Sequence, residues 1–385
     1  LFFSGAVEQA RSEGRDGAEY LVLVATSGDT GVAALDGFAE RPHTKIAVCY
    51  PGGGVSAMQE RQMVTQPGEN LTVFALEGDF DTCQSCVKAV FADEEFAEEI
   101  RTEHGLHLSS ANSINWGRLL PQIVYYVSAY VDMVGQGHIR MGDPIDVCVP
   151  SGNFGNLLAG YYAKRLGVPI ARLLCASNTN RVLADLLTTG KYEISERKLV
   201  RTASPSMDIL VSSNLERLLY ELTGNGIQVR DWMTGLYETG SFVLDEVTFA
   251  RIRREFIGDW VDDETCLATI GSVYGERGYL VDPHTAVAWE VADRNAGMQP
   301  MLVVSPAHWS KFPADVVRGL RGLRPGASLP GDELDWLAQV GDLAPGHPVP
   351  EAIADACSRP VRFSGRVKGD PLALEQGIRE WLESA

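Results

Sequence analysis

Short runs of uninterrupted apolar, β-rich residues, each followed by a helical stretch, constrain this chain more than any other feature. They are Tyr20-Leu-Val-Leu-Val-Ala-Thr26, Ile46-Ala-Val-Cys-Tyr50, Thr72-Val-Phe-Ala-Leu76, Asp146-Val-Cys-Val-Pro150, Ala171-Arg-Leu-Leu-Cys175 and Met301-Leu-Val-Val304. Strands that lack polar alternation are buried on both faces, so the runs predict parallel sheets covered by helices, an α/β fold. In such sheets ligands bind where strands end and helices begin. A length of 385 residues exceeds one compact core and fits two lobes around a cleft.

The pattern divides the chain into a smaller lobe over residues 1–118 and a larger one over 119–385. A long helical pattern, Ile114 to Val134, leads from the first to the second. Residues 178–245 carry helical signals such as Leu215-Glu-Arg-Leu-Leu-Tyr-Glu-Leu222 and read as an insertion into the larger lobe. The proline-rich tail reads as a cover on that lobe, ending in a helix over Ala373 to Leu382. Leu1 in place of Met reads as a cut or processed end, and exposed apolar surface is expected near residues 1–20.

Charge and cysteine usage narrow the partners. Thirty-three basic against 51 acidic residues leave −18, which works against nucleic acid or an anionic bilayer and favours a small molecule. No stretch approaches the ~18 apolar residues of a membrane span, and the first residues are too few for a secretory signal, which predicts a cytoplasmic protein. Seven scattered cysteines are no disulfide framework. Cys83-Gln-Ser-Cys86 lies in an amphipathic helical pattern without a second pair, so core packing explains it better than zinc or redox chemistry. The oligomeric state has no signature in the sequence.

Two strand-to-helix loops carry the chemistry. Ala25-Thr-Ser-Gly-Asp-Thr-Gly31 combines glycines that admit a ligand close to the backbone with exposed N–H groups at a helix start, an anion site. The competing reading is an ordinary helix start capped by Asp29 or Thr30. Pro150-Ser-Gly-Asn-Phe-Gly-Asn156 can wrap backbone donors around a phosphate. It lacks the Lys-Ser/Thr ending of a nucleotide P-loop and is not GxGxxG, so a small phosphorylated cofactor fits better than a nucleotide.

Together, Thr26-Ser-Gly-Asp-Thr-Gly31 and Ser151-Gly-Asn-Phe-Gly-Asn156 resemble the paired loops of fold type II pyridoxal phosphate enzymes, specifically the long form of threonine synthase. Further segments agree: Asp79-Phe-Asp-Thr-Cys-Gln84, Ser110-Ala-Asn-Ser-Ile-Asn-Trp-Gly-Arg118, Ser204-Pro-Ser-Met-Asp-Ile209, Ser212-Ser-Asn-Leu-Glu-Arg217, Val281-Asp-Pro-His-Thr-Ala-Val287 and Ala307-His-Trp-Ser-Lys-Phe312. The resemblance spans about residues 20–315. It implies a two-lobed, tryptophan synthase β-like architecture and a lyase of threonine biosynthesis. Such an enzyme uses pyridoxal 5'-phosphate to convert O-phosphohomoserine and water into threonine and phosphate.

The resemblance also implies site roles. Gly152, Asn153, Phe154, Gly155 and Asn156 would hold the cofactor phosphate. Thr26, Ser27, Gly28 and Thr30 would receive the substrate carboxylate, with Asp29 near the pyridine 3-oxygen. Asn112, Ser113, Asn115 and Arg118 are candidates for the substrate's own phosphate, Asn115 and Arg118 being three apart on a helix. His284 and His308 lie in matching segments but read as packed or capping side chains. Where the family usually sets a threonine hydroxyl against the pyridine nitrogen, this chain has Pro306, which offers no donor. Ser305 is the substitute.

The family's Schiff-base lysine, in a Phe-Lys-Asp context upstream of the first loop, has no counterpart among Lys45, Lys88, Lys164, Lys191, Lys198, Lys311 and Lys368. On this reading the chain is a fragment beginning just after that lysine, inactive as written and without a catalytic residue of its own. Three readings stay open: a truncated threonine synthase, a related phospho-lyase forming 2-oxobutyrate, and a non-catalytic remnant. An in-frame Phe-Lys-Asp upstream of Leu1 favours the first two.

Overall fold

The computed structural model describes residues 2–14, 17–112 and 115–384. Its strands, in chain order, are β1 (Glu19–Ala25), β2 (Thr44–Pro51), β3 (Leu71–Leu76), β4 (Leu106–Ser110), β5 (Ile145–Pro150), β6 (Ile170–Ser177), β7 (Lys191–Glu193), β8 (Ser241–Val243), β9 (Phe256–Trp260), β10 (Met301–Val303) and β11 (Arg366–Val367). Every apolar run singled out above is a strand. Two compact units result, one of residues 1–117 with 349–385 and one of residues 118–348.

The first unit holds a five-stranded sheet in the order β11-β3-β2-β1-β4, with every pair parallel. All residues of β3 are buried and β2 is nearly so, as continuous apolar strands require. The tail over 349–385, assigned on sequence to the larger lobe, belongs here instead. Its β11 extends the sheet beyond β3. Its last helix, Pro371–Ser384, sends Arg379 in a bidentate pair to Glu99 at 2.6 and 2.8 Å. Such long-range pairing leaves no local signal in sequence.

The second unit contains the parallel sheet β10-β5-β6-β9. The expected insertion is mostly helical but also forms an antiparallel ribbon, β7 with β8, whose Tyr192 and Phe242 rings stack at 5.4 Å. The long helix runs Trp116–Gly135. Exposed apolar surface lies along this helix, where Trp116, Leu120, Val124, Val127 and Val131 recur every three or four residues. Of the stretch expected to expose apolar surface near residues 1–20, Val7 packs inward, and the side chains of residues 1–4 and residues 15 and 16 lie outside the described residues. Among the described residues no helix is long and apolar enough to cross a membrane. Cys83 and Cys86 are buried in the helix Phe80–Ala92, and burial pushes the Cys83 thiol up to about 12, so both are packing groups.

Candidate active site

In the first unit the chain turns at Gly28 from β1 into the helix Asp29–Phe38. Gly28 has φ 128°, and it, not Asp29 or Thr30, occupies the N-cap position, with no side-chain cap bond. Thr26 braces the turn, its Oγ1 accepting from the N–H groups of Gly28 at 3.0 Å and Gly31 at 2.8 Å. Thr26 is buried, so its hydroxyl holds the loop's shape, while Ser27, Asp29 and Thr30 are half-buried. The backbone is left in close quarters: a side chain on Gly28 would begin 2.4 Å from the Gln59 carboxamide, and one on Gly31 2.5 Å from Thr26 Cγ2.

The expected phosphate-binding segment is partly committed to architecture. Asn112 is buried, and its Oδ1 accepts from the Ala25 N–H at 2.8 Å while its Nδ2 donates to the Ala25 carbonyl, which ties the end of β1 to β4. Asn115 precedes the helix rather than sharing a face with Arg118. Its Nδ2 donates to Ser110 O at 3.0 Å and its Oδ1 accepts from the Gly117 N–H at 2.9 Å. Ser113 lies outside the described residues. Arg118, in the second unit, is half-buried, and desolvation holds its guanidinium below the usual range. A cation short of water is suited to receive a doubly charged anion.

In the second unit β5 ends at Pro150 and the helix Gly155–Arg165 begins after four intervening residues. Phe154 makes the turn with φ 60°, a left-handed conformation uncommon outside glycine, and is held there by complete burial against Phe256. No side chain caps the helix, so its first N–H groups face the loop's concavity. Ser213 Oγ donates to Asn153 Oδ1 at 3.0 Å and Asn214 Nδ2 to Asn153 O at 2.9 Å. The Tyr126 hydroxyl donates to Asn156 Oδ1 and lies 2.7 Å from Asn156 O, which fixes this residue at the helix start.

This cradle fits a phosphate on three counts. A Cβ on Gly152 would stand 2.9 Å from Ile209 Cδ1, 3.1 Å from Met207 Cα and 3.2 Å from Ser206 O, so only glycine lets the loop lie against residues 206–209. The helix start is uncapped. The buried Ser212 Oγ, beside the Ser213 that braces the loop, has no hydrogen-bond partner among the described residues.

The brace behind residues 206–209 is a polar cluster that sequence reading missed. Asp208 is buried and accepts from Asn178 Nδ2 at 2.8 Å, Asn180 Nδ2 at 2.9 Å, Thr202 Oγ1 at 2.7 Å and Thr202 N–H at 2.9 Å. Burial pushes its carboxyl up to about 6 against the pull of the Thr202 and Asn178 donors. The available signal was Ser177-Asn-Thr-Asn180, a polar run that begins at the last residue of an apolar strand.

Ser305 follows β10 and ends a second chain of bonds. Thr285 Oγ1 donates to Asp282 Oδ2, and the Ser305 and Thr285 oxygens are 2.9 Å apart. Because the Thr285 proton is spent on Asp282, Ser305 is the donor of that pair and keeps its lone pairs for a donor outside. The Ser206 N–H donates to His284 Nε2 at 3.1 Å, while Nδ1 lies 2.8 Å from Asp282 Oδ1. The ring is therefore the neutral Nδ1–H tautomer, buried and structural. His308 accepts from Ser310 N–H and caps the turn Trp309–Lys311, and burial holds its imidazole below the usual range. Pro306 is exposed and adds no donor.

No family model matches the chain. Threonine synthase-like 1 of Macaca fascicularis is 46% identical over 309 residues, which cover 78% of this chain and 42% of that protein. The chain thus spans less than half the length of that curated relative. A PLP-bound threonine synthase structure from Brucella melitensis is 37% identical with a TM-score of 0.76, covering 97% of this chain and 72% of that one. The yeast threonine synthase structure is 32% identical with a TM-score of 0.78, covering 100% and 74%.

Proposed function

Because the chain belongs to the threonine synthase family of fold type II pyridoxal phosphate enzymes, we propose that it serves the conversion of O-phosphohomoserine and water into threonine and phosphate. The phosphate cradle of Gly152 to Asn156 is the observation that carries this reading. Its backbone N–H groups supply fixed donors at the positive end of a helix, and they would hold pyridoxal 5'-phosphate by its phosphate. When bound, the cofactor ring supplies an electron sink for deprotonation of the amino acid.

The remaining groups position and exclude. Ser305, its proton committed to Thr285, would accept from a protonated ring nitrogen in place of the family's threonine. The N–H groups of Ser27, Asp29 and Thr30 would take the substrate carboxylate, on a loop whose shape Thr26 fixes by accepting from the Gly28 and Gly31 N–H groups. Asp29 would stand near the ring's 3-oxygen and share a proton there. Arg118 would take the substrate phosphate and stabilise it as it leaves. The smaller unit would thus serve the carboxylate and the larger one the cofactor. On this reading none of the seven lysines of this chain takes the place of the family's Schiff-base lysine.

A second reading, a phospho-lyase forming 2-oxobutyrate, draws support from Ser305-Pro306 at the ring-nitrogen position and from the 46% identity to a threonine synthase-like 1 protein. A non-catalytic remnant is the third. The full-length gene product, supplied with pyridoxal 5'-phosphate and O-phosphohomoserine, separates them. The synthase reading expects threonine in step with released phosphate. Oxobutyrate without threonine would overturn it in favour of the lyase, and no product at all would favour the remnant.

A further inference from the structure

Away from the carboxylate loop, the first unit contains a cavity of about 350 Å³, within the range of small-molecule sites. It lies at the β2 and β3 side of the sheet, under the segment leading into β11, and one wall is the helix Ala57–Val64. That helix divides its duties by face. Gln59 and Met63 crowd Gly28 and Gly31, whereas Glu60 and Val64, on the other side, line the cavity.

The lining has the chemistry of a zwitterion site. Glu60 accepts from the Tyr50 hydroxyl at 2.8 Å. Burial, then that bond, push the Tyr50 phenol well above its ordinary value, so it stays a neutral donor to one carboxylate oxygen and leaves the carboxylate's charge for a cation. Arg366 lies at the exposed mouth, close enough for its charge to act on Tyr50. Arg61 is not available to a ligand in the same way: its guanidinium donates to the carbonyls of Ala356, Cys357 and Arg359 at 2.7 to 3.1 Å. Val64, Val361 and Phe363 supply the apolar surface.

We propose that this cavity binds a free α-amino acid with an apolar side chain, its ammonium on Glu60, its carboxylate on Arg366 and its side chain against Val64, Val361 and Phe363. A plain carboxylic acid would leave Glu60 facing a like charge, and an amine or amide would leave Arg366 without an anion. Both should bind worse than the amino acid.

The site does not depend on the reading of the catalytic centre, and its test does not use activity. Isothermal titration calorimetry of the protein with L-leucine and L-phenylalanine should give saturable binding at one site. L-Leucinamide and 4-methylpentanoate should each bind at least about tenfold more weakly. Arg366→Gln, at an exposed position, and Glu60→Gln, which keeps an acceptor for Tyr50, should each weaken leucine by at least about tenfold with the melting temperature retained. Absence of saturable heat with both amino acids would overturn the proposal. So would equal binding of the amide or the acid, or leucine binding unchanged in Arg366→Gln.

Discussion

Gly28→Ala is expected to destabilise the protein by about 3 kcal/mol, the sum of backbone strain and overpacking. Gly28 sits at φ 128°, outside the conformations that residues with a Cβ adopt. The added methyl would also stand 2.4 Å from the Gln59 carboxamide. Gln59 has little freedom to retreat, since its Oε1 accepts from the Ser56 N–H at 3.0 Å in a capping box that starts the helix Ala57–Val64. Relief of the clash therefore costs a helix start as well. Gly53→Ala is the internal control: φ is also positive, at 75°, but nothing lies within 4 Å, so only the smaller left-handed penalty of roughly 1 kcal/mol applies. Urea unfolding of the three proteins measures the difference, and equal midpoints for the two variants would refute the steric argument.

Asp208→Ala should cost about 2 kcal/mol at pH 7.5, because four donors from Asn178, Asn180 and Thr202 lose their acceptor in a buried place. The pH dependence has a definite sign. The Asp208 carboxyl titrates near 6 in the folded protein and near 3.9 unfolded. Its contribution to stability is complete below the unfolded value and is lost as pH rises through about 6. On going from pH 7.5 down to pH 5, wild type should regain about 1 kcal/mol that the variant does not. The gap between them widens on acidification. A gap that narrows would mean that the four donors outweigh desolvation and that Asp208 is a depressed, not a raised, carboxyl.

The strands legible in the sequence were those with a continuous apolar run, because burial on both faces leaves no polar alternation. The missed strands have local reasons. In β4, Leu106-His-Leu-Ser-Ser110, polar residues accompany a position at the sheet edge. In β9 Gly258 interrupts the run, and it is glycine because a Cβ there would meet Ala184 O at 2.7 Å. Strand β11 has two residues and pairs only through contact with β3.

The site divides the same way. Both glycine loops announce themselves, since a backbone that must approach a neighbour or a ligand can use few residue types. The roles of Asn112 and Asn115 were not legible, because a carboxamide that ties down Ala25 or Ser110 has the same sequence signature as one that binds phosphate. Asp208 was hidden for a different reason: its donors come from separate stretches of chain, Asn178 with Asn180 and Thr202, which only the fold assembles.

The central claim is that the loop over Gly152 to Asn156 is built for a cofactor phosphate. Calorimetric titration of this chain with pyridoxal 5'-phosphate and, separately, with pyridoxal tests it without requiring turnover. The phosphorylated compound should bind at least about 100-fold more tightly. Gly152→Ala, whose methyl would meet the backbone of residues 206 and 207, should weaken it by at least about tenfold. Equal affinities for the two compounds, or undiminished pyridoxal 5'-phosphate binding in Gly152→Ala, would contradict the account.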